Sequence, residues 1–531
     1  MSTHVFLVSN CLEEASLHSR AVLDAHADRI SNNCWCATSD LQESLRARLQ
    51  ETASPLTAVK CYCLVEGGLT RLWVVGTEQA ADNNATLPTE RSLAKHRPHP
   101  AWIRDVILLA QSAGYLHDWG KSGQWFARML ETALIGEPEY DPVRHEWISR
   151  TLLLQAFKSG FGHAWSRPLT KRLLSNADAL EEGIPSREAA LEFLITTHHR
   201  LLGPASKQIQ VDASGHINKP NFTGSAMPAG TIAPVILTCA KQLLDSLGET
   251  AVIQGADYWR PVALLARAAL ILADHQVSSI DYQGTVKADL VSGDTRLFAN
   301  TKRDATSGQV RYDQPLDWHL MQVGEQAAAI AHRMGTLQFE ALSADTVRQI
   351  LAPASHPRFA WQDDAVAFLQ SIRSKTKAPA LIFNMAGTGA GKTRANAKTA
   401  CALSERPRFC VALNLRSLTL QTGDSLKDDL KLTDQELAVV IGDKVSKQLH
   451  EHARDAFNQT DGPDLELLVS TGQTNLPDWL QDIDRQGKAS RLLPPPVLVS
   501  TIDFIINAGE PGRQGHHALA LLRMMDSDLV W

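Results

Sequence analysis

The sequence predicts a multidomain chain: a small α/β unit, then a mostly helical domain, then part of a second α/β domain. Three observations carry that prediction. Strand and helix periods alternate over the first ~90 residues. Hydrophobes at helix spacing (Ile103, Val106, Ile107, Ala110, Ala113) run from Ala101 to Leu116 and deliver His117 and Asp118 side by side before a break at Gly120. Farther on, a mostly apolar stretch, Ala380–Met385, leads straight into Ala386-Gly-Thr-Gly-Ala-Gly-Lys-Thr393. A length of 531 residues suits about two to four domains.

Composition excludes several classes. The chain is 44% hydrophobic and 21% charged, as soluble globular proteins are. No uninterrupted apolar run reaches the ~20 residues of a membrane span, so no membrane partner is expected. The start, MSTHVFLVSN, lacks the basic region and long apolar core of a signal peptide. Eight cysteines in such a chain make no secreted disulfide framework, which points to a reducing cytoplasm. A net charge of −6 argues against a basic nucleic-acid coat but not against a nuclease, whose groove needs only local positive charge.

Within the first unit, residues 1–90, Val5–Val8 and Asn33–Ala37 read as strands and Leu12–Ala27 and Leu41–Glu51 as helices. Ala58–Val65 and Leu69–Val75 read as a hairpin around Glu66-Gly67-Gly68. Two C-x-C pairs, Cys34/Cys36 and Cys61/Cys63, lie here. Residues i and i+2 of a strand share a face, so four thiolates could meet on zinc. Structural zinc sites prefer C-x-x-C at turns, and free cysteine packs well as a small hydrophobe, which is the preferred reading. A polar loop, Thr77–Thr89, follows.

Residues 95–285 read as mostly helical. His145 opens a helix running to about Phe157. Ser186 caps a helix expected to end at Gly203-Pro204, with His198 and His199 near its end, and Pro261 opens a helix carrying Asp274. Any one of these is commonly a satisfied core histidine or a helix-end charge. Together the order is His-Asp, His, His-His, Asp, each on a different predicted helix, which is the ligand inventory of a dinuclear hydrolytic site. His117, Asp118, His145, His198, His199 and Asp274 are the expected ligands, with Asp118 bridging. Two divalent ions are expected, from among Mn, Fe, Co, Ni or Mg, and the imidazole-rich set favours the transition metals among them. Lys121 is expected to steady phosphate oxygens, making His117, Asp118 and Lys121 the catalytic group.

Residues 286–335 read as a linker, with a helix near Met321–Met334 entering the third domain, residues 336–531. There the strand, glycine-rich loop, Lys-Thr and helix form the context of a phosphate-binding loop. Gly387, Thr388, Gly389 and Gly391 let backbone N–H groups wrap phosphates, Lys392 neutralises them, and Thr393 ligates magnesium, so ATP with Mg is the expected cofactor.

The matching stretches AGYLHDWGK, DPVRHEWIS, ITTHHRLL, ILADHQVSS, NMAGTGAGKT, LNLRSLTLQTG and VLVSTIDFII, in this order, resemble the fused CRISPR-associated helicase–nuclease of type I-F systems. The resemblance implies a Cas2-like ferredoxin-like domain, an all-α HD domain and a RecA-like helicase domain of superfamily 2. By it, Gln362 resembles the adenine-reading Q motif, and Arg416, Thr419, Gln421 and Thr501 lie where such helicases hold a single strand. It implies an effector that cuts single-stranded DNA after recruitment by an RNA-guided surveillance complex and binds the CRISPR integrase through the N-terminal domain. Three departures stand. The order β-α-β-α-β-β differs from the ferredoxin-like one. The family's earlier ligand histidine has only His96 and His99 as candidates, and His99 stands 18 residues before His117, about 27 Å along an unbroken helix. Finally, Ser527–Trp531 resembles the strand that presents motif II, yet no DExx follows. An incomplete first RecA-like domain with impaired ATPase activity is therefore expected. Two rivals remain: an HD nucleotide phosphohydrolase with a nucleotide-sensing P-loop, and a non-catalytic scaffold for the integrase.

Overall fold

The computed structural model divides into two compact units, Met1–Thr336 and Leu337–Trp531. It describes residues 3–531 apart from short segments and the longer stretches 78–87, 94–100, 138–143, 161–183, 200–209, 248–254, 283–296, 442–465, 470–475 and 482–487. No helix among the described residues is long and apolar enough to cross a membrane.

The first unit opens with β1 (Thr3–Val8), α1 (Glu14–His26), β2 (Asp28–Ser31), β3 (Cys34–Thr38), α2 (Gln42–Gln50), β4 (Ala58–Val65) and β5 (Gly68–Gly76). The strands form one antiparallel sheet ordered β2-β3-β1-β4-β5. The first six elements are thus β-α-β-β-α-β, the ferredoxin-like sequence of elements. The reading from sequence missed β2, a four-residue edge strand directly after a helix, too short to show alternation. Leu23, Leu45 and Leu49 of the helices pack on Phe6, Trp35, Cys61 and Val75 across one sheet face. Cys34 belongs to the other face, with Val5 and Leu7. β1 also separates β3 from β4, so the two cysteine pairs cannot converge. Burial pushes the Cys34, Cys36 and Cys61 thiols up to about 12, which suits packing rather than metal binding.

The rest of this unit is mainly a helical bundle: α3 (Ala101–Leu116), α4 (Gln124–Leu134), α5 (His145–Ser159), α6 (Arg187–Thr197), α7 (Pro234–Ser246), α8 (Ala256–Ser278) and α9 (Leu316–Gly335). In correction of the all-α expectation, it also carries a three-stranded and a two-stranded antiparallel sheet. Three expectations need correction. α8 begins before Pro261, which lies inside the helix. α6 stops at Thr197, and His198 and His199 sit in the turn after it. The stretch read as a linker contains α9, which is buried along most of its length. The apolar positions Leu316, Leu320, Val323, Ala327 and Ile330 form a core stripe.

α3 and α9 approach until their backbones touch. A methyl group added to Gly114 would lie 2.5 Å from Gly324 Cα, and one on Gly324 would lie 2.2 Å from the Tyr115 ring. Only glycine allows this crossing.

In the second unit a five-stranded sheet runs β8 (Glu466–Val469), β7 (Leu437–Ile441), β9 (Val497–Thr501), β6 (Phe409–Leu413), β10 (Asp528–Val530), parallel except for β8. Residues 380–385, expected to be a strand, form none. Leu381, Ile382, Phe383 and Met385 are exposed, because no neighbour among the described residues takes up their backbone hydrogen bonds.

Gly324→Ala is expected to destabilise the first unit by about 1–3 kcal/mol, the usual cost of overpacking. A denaturant titration followed by circular dichroism checks it. An unchanged midpoint would mean the helices separate freely.

Candidate metal centre

α3 ends at Leu116, and the next two residues carry the centre. His117 N–H still bonds to the Ala113 carbonyl at 2.7 Å, so its side chain leaves the helix end in fixed geometry. The following 3₁₀ turn, Trp119–Ser122, is held against α5 by a 2.8 Å bond from Gly120 N–H to Ser149 Oγ. That bond brings Asp118 beside His145, the first residue of α5. Arg267 of α8 donates to the Thr197 carbonyl at 2.6 and 3.0 Å, fixing the end of α6 where His198 and His199 project.

Asp118 is fully buried, and its two oxygens face different groups. Oδ1 lies 3.1 Å from His145 Nε2 and 3.6 Å from His198 Nε2. Oδ2 lies 3.3 Å from His117 Nε2, 3.4 Å from His319 Nε2 and 2.6 Å from Lys121 Nζ. Asp274 Oδ1 stands 3.8 Å from His117 Nε2 and 3.5 Å from His319 Nε2, and its Oδ2 is 4.0 Å from His199 Nδ1. Two ligand groups result, Asp118–His145–His198–His199 and His117–Asp118–Asp274–His319. Asp118 is common to both.

These atoms fit divalent ions. Ligands at ~2.1 Å from one ion lie about 3.0–3.4 Å apart at right-angled or tetrahedral positions, close to the separations here. His117 Nε2, His319 Nε2 and both Asp118 oxygens are buried without a well-formed hydrogen bond, a state a bound cation relieves. The far ring nitrogens are spoken for. His117 Nδ1 pairs with the Gly114 carbonyl at 2.9 Å, His198 Nδ1 with the Ile195 carbonyl at 2.7 Å, and His319 Nδ1 with Gln314 Oε1 at 2.8 Å. Each contact turns the Nε2 lone pair inward, as the outer hydrogen bonds of metal-bound histidines do.

Electrostatics agree. Burial opposes charge on Asp118, but His117, Lys121 and His145 hold its carboxyl well below the usual carboxylate range. Burial likewise opposes charge on Lys121, and Asp118 overcomes it, raising the ammonium. For His117 burial is outweighed by Asp118 and Asp274, which carry the imidazole up to about 9. Its proton leaves when a cation takes its place. Burial pushes His198 and His199 down, leaving them neutral donors.

The structure brings together all six residues expected from sequence as ligands, and Lys121 stands beside Asp118. The reading missed His319, which lies in the stretch taken for a linker. The i, i+4, i+7 apolar spacing from Leu316 was the available signal. His96 and His99 lie outside the described residues, and α3 is unbroken.

In the second unit, Gly389 and Gly391 adopt φ of +76° and +79°, a backbone that favours glycine, and α10 (Lys392–Leu403) starts directly after them. Gly387, Thr388, Lys392 and Thr393 are exposed, and Lys392 Nζ reaches back to the Ala386 carbonyl at 3.0 Å. Gln362 is buried and donates to the Gly391 carbonyl at 3.2 Å, so it braces the loop. Of the expected strand-binding residues, Gln421 is exposed and Arg416 begins a helix running to Leu430. Thr419 and Thr501 are buried.

Comparison with known proteins bears out the relationship to type I-F CRISPR-associated helicase–nucleases. Residues 3–78 match the family described as CRISPR-associated nuclease/helicase Cas3, I-F/YPEST, Cas2 domain. The chain is 30% identical to the CRISPR-associated nuclease/helicase Cas3 subtype I-F/YPEST of Pseudomonas aeruginosa, over 99% of this chain and 53% of that protein. It is 29% identical to the Pectobacterium atrosepticum protein of the same description, over 99% and 54%. The chain thus spans about half the length of the curated relatives it matches. Crystal structures of T. fusca Cas3, with ATP and without, align at 15% identity, with TM-scores of 0.30 and 0.34, covering 83% of this chain and 45% of theirs.

Gln314 also donates to the Val277 and Ile280 carbonyls at 2.8 and 2.9 Å, so it clamps His319 to the end of α8. Gln314→Leu is expected to weaken metal binding at the group that contains His319 by about 10- to 100-fold and to spare binding at the other group. A Co²⁺ titration followed by visible absorption reads this, and an unaltered titration would show that Gln314 does not set the ligand.

Proposed function

We propose that the chain is a metal-dependent deoxyribonuclease of CRISPR interference, which cuts single-stranded DNA at the HD centre. The observation that supports this most is the sharing of Asp118 between two ligand groups. Five imidazoles and two carboxylates converge there, a donor set suited to Mn, Fe, Co or Ni more than to Mg. Two divalent ions, when bound, supply Lewis acidity at a scissile phosphate and lower the pKa of the attacking water. Asp118, kept ionised by its neighbours, holds the two ligand groups at a fixed separation. His198 and His319 present their Nε2 lone pairs without reorganising, and His117 does so once its proton has left, because their other nitrogens are already bonded. Lys121, kept protonated beside Asp118, places positive charge where the non-bridging phosphate oxygens gain negative charge.

The proposal extends to the second unit, where Gly387, Thr388, Gly389, Gly391, Lys392 and Thr393 would hold ATP with Mg, with Gln362 behind the loop. Arg416 and Gln421 would track a single strand. An RNA-guided surveillance complex is the proposed recruiter. The N-terminal sheet is the proposed contact with the CRISPR integrase. A reducing cytoplasm is the proposed setting, which suits the free cysteines of the described residues.

The purified chain, given circular single-stranded DNA and Mn²⁺ without ATP, is expected to linearise and degrade it, and Asp118→Ala to reduce cutting to background. Cutting that survives in Asp118→Ala would place the chemistry elsewhere. Hydrolysis of a deoxynucleoside triphosphate in preference to DNA would favour a nucleotide phosphohydrolase.

A further inference from the structure

A second buried polar cluster lies on the same two helices as the metal ligands. Glu325 of α9 is six residues beyond His319, about 9 Å along the helix. Its Oε1 accepts from Tyr115 Oη at 2.7 Å and from Gln111 Nε2 at 3.0 Å, both on α3. Its Oε2 faces Arg20 Nη1 at 3.3 Å and Arg29 Nη2 at 3.5 Å, from α1 and β2 of the N-terminal sheet domain. Arg29 is in turn held by Asp24 at 2.9 and 2.5 Å, and Asp24 accepts from Trp35 Nε1 at 2.7 Å. Two arginines and two carboxylates thus meet out of water, with one carboxylate supplied by the bundle.

The placement of this cluster is what matters. Tyr115 is two residues from His117 and three from Asp118, and Glu325 follows Gly324, where α3 and α9 are in backbone contact. From that contact, α3 advancing and α9 receding both reach the metal centre, so the two helices run antiparallel. The Tyr115–Glu325 bond therefore fixes the sliding register of the helices that carry His117 and His319. The Tyr115 ring also seats on Gly324, so one side chain supplies both the close packing and the hydrogen bond at this crossing.

We propose that Glu325 is a positioning residue through which the N-terminal domain sets the metal site of His117, Asp118, Asp274 and His319. Binding at this metal then depends on Arg20 and Arg29, which belong to a different domain and touch no ligand. The inference rests on the two-metal reading given above. It assigns the N-terminal domain a part in building the nuclease centre, besides any partner that domain binds.

The full chain, stripped of metal, is titrated with Co²⁺, and the number, affinity and visible spectrum of bound ions are recorded. His319→Ala is expected to bind one ion in place of two. Glu325→Gln, which keeps the side chain's shape and removes its charge, is expected to weaken one ion about tenfold or more and leave the other unchanged. Tyr115→Phe removes a single hydroxyl and is expected to do the same more weakly; it decides the matter if Glu325→Gln fails to fold. A merely structural role would lower the unfolding midpoint while both ions bind as before. If His319→Ala loses one ion but folded Tyr115→Phe and Glu325→Gln keep two at unaltered affinity, the coupling is overturned and the site reading stands. If the unaltered chain binds only one ion, the two-metal reading falls and takes the coupling with it; if His319→Ala binds two ions as before, His319 is no ligand and the coupling through α9 is overturned.

Discussion

A carboxylate with no water access must be surrounded by positive charge or by donors, and Asp118 is that carboxylate. Leaving an ion buried costs several kcal/mol if nothing balances it. Here the balance comes from imidazoles on the ends of separate helices and from Lys121 one turn away. No single helix can supply them, since side chains on one helix face share only i, i+3 and i+4 neighbours. The bundle is the smallest arrangement that brings His117, His145, His198 and His319 to one point. The ligand end of each helix is fixed by polar contacts that do no chemistry: Arg267 at the end of α6, Ser149 against the 3₁₀ turn, Gln314 under His319.

What the sequence made legible was what is local. His117-Asp118 follows a clean apolar period, and His145, His198, His199 and Asp274 stand at or near helix ends. Residue type and helix position were enough to group these side chains. His319 was not legible in the same way, because nothing in Leu316–Gly335 says that this helix crosses α3 at Gly324. Its apolar stripe marked a buried helix but named no partner. β2 was missed for a related reason: four residues at a sheet edge are defined by the strand they pair with, and their own pattern is too short to read.

The second unit separates the same two kinds of information. The loop from Ala386 to Thr393 depends on glycines that tolerate positive φ as a property of the residue itself, and Gly389 and Gly391 adopt it directly before a helix. The apolar segment before it does not become a strand, because a strand exists only when a neighbour completes its ladder. Thr419 and Thr501 make a further contrast: both match a motif by position, yet both side chains turn into the core. A motif fixes residue type and order, while burial is decided by the fold around it.

The cluster of Arg20, Arg29, Asp24 and Glu325 adds a constraint of another kind. Such a buried set, neutral in sum, is weak evidence for stability, since well-packed apolar residues of the same volume often do as well. Its distinct effect is on geometry. An apolar contact between the sheet domain and the bundle would tolerate small slides, whereas Glu325 must meet Tyr115, Gln111 and two guanidinium groups at once. A displacement that breaks any of these leaves charge without a partner in a dry interior. The sheet domain is therefore held in one register on α3 and α9, the two helices whose ligand-bearing ends lie on either side of Asp118.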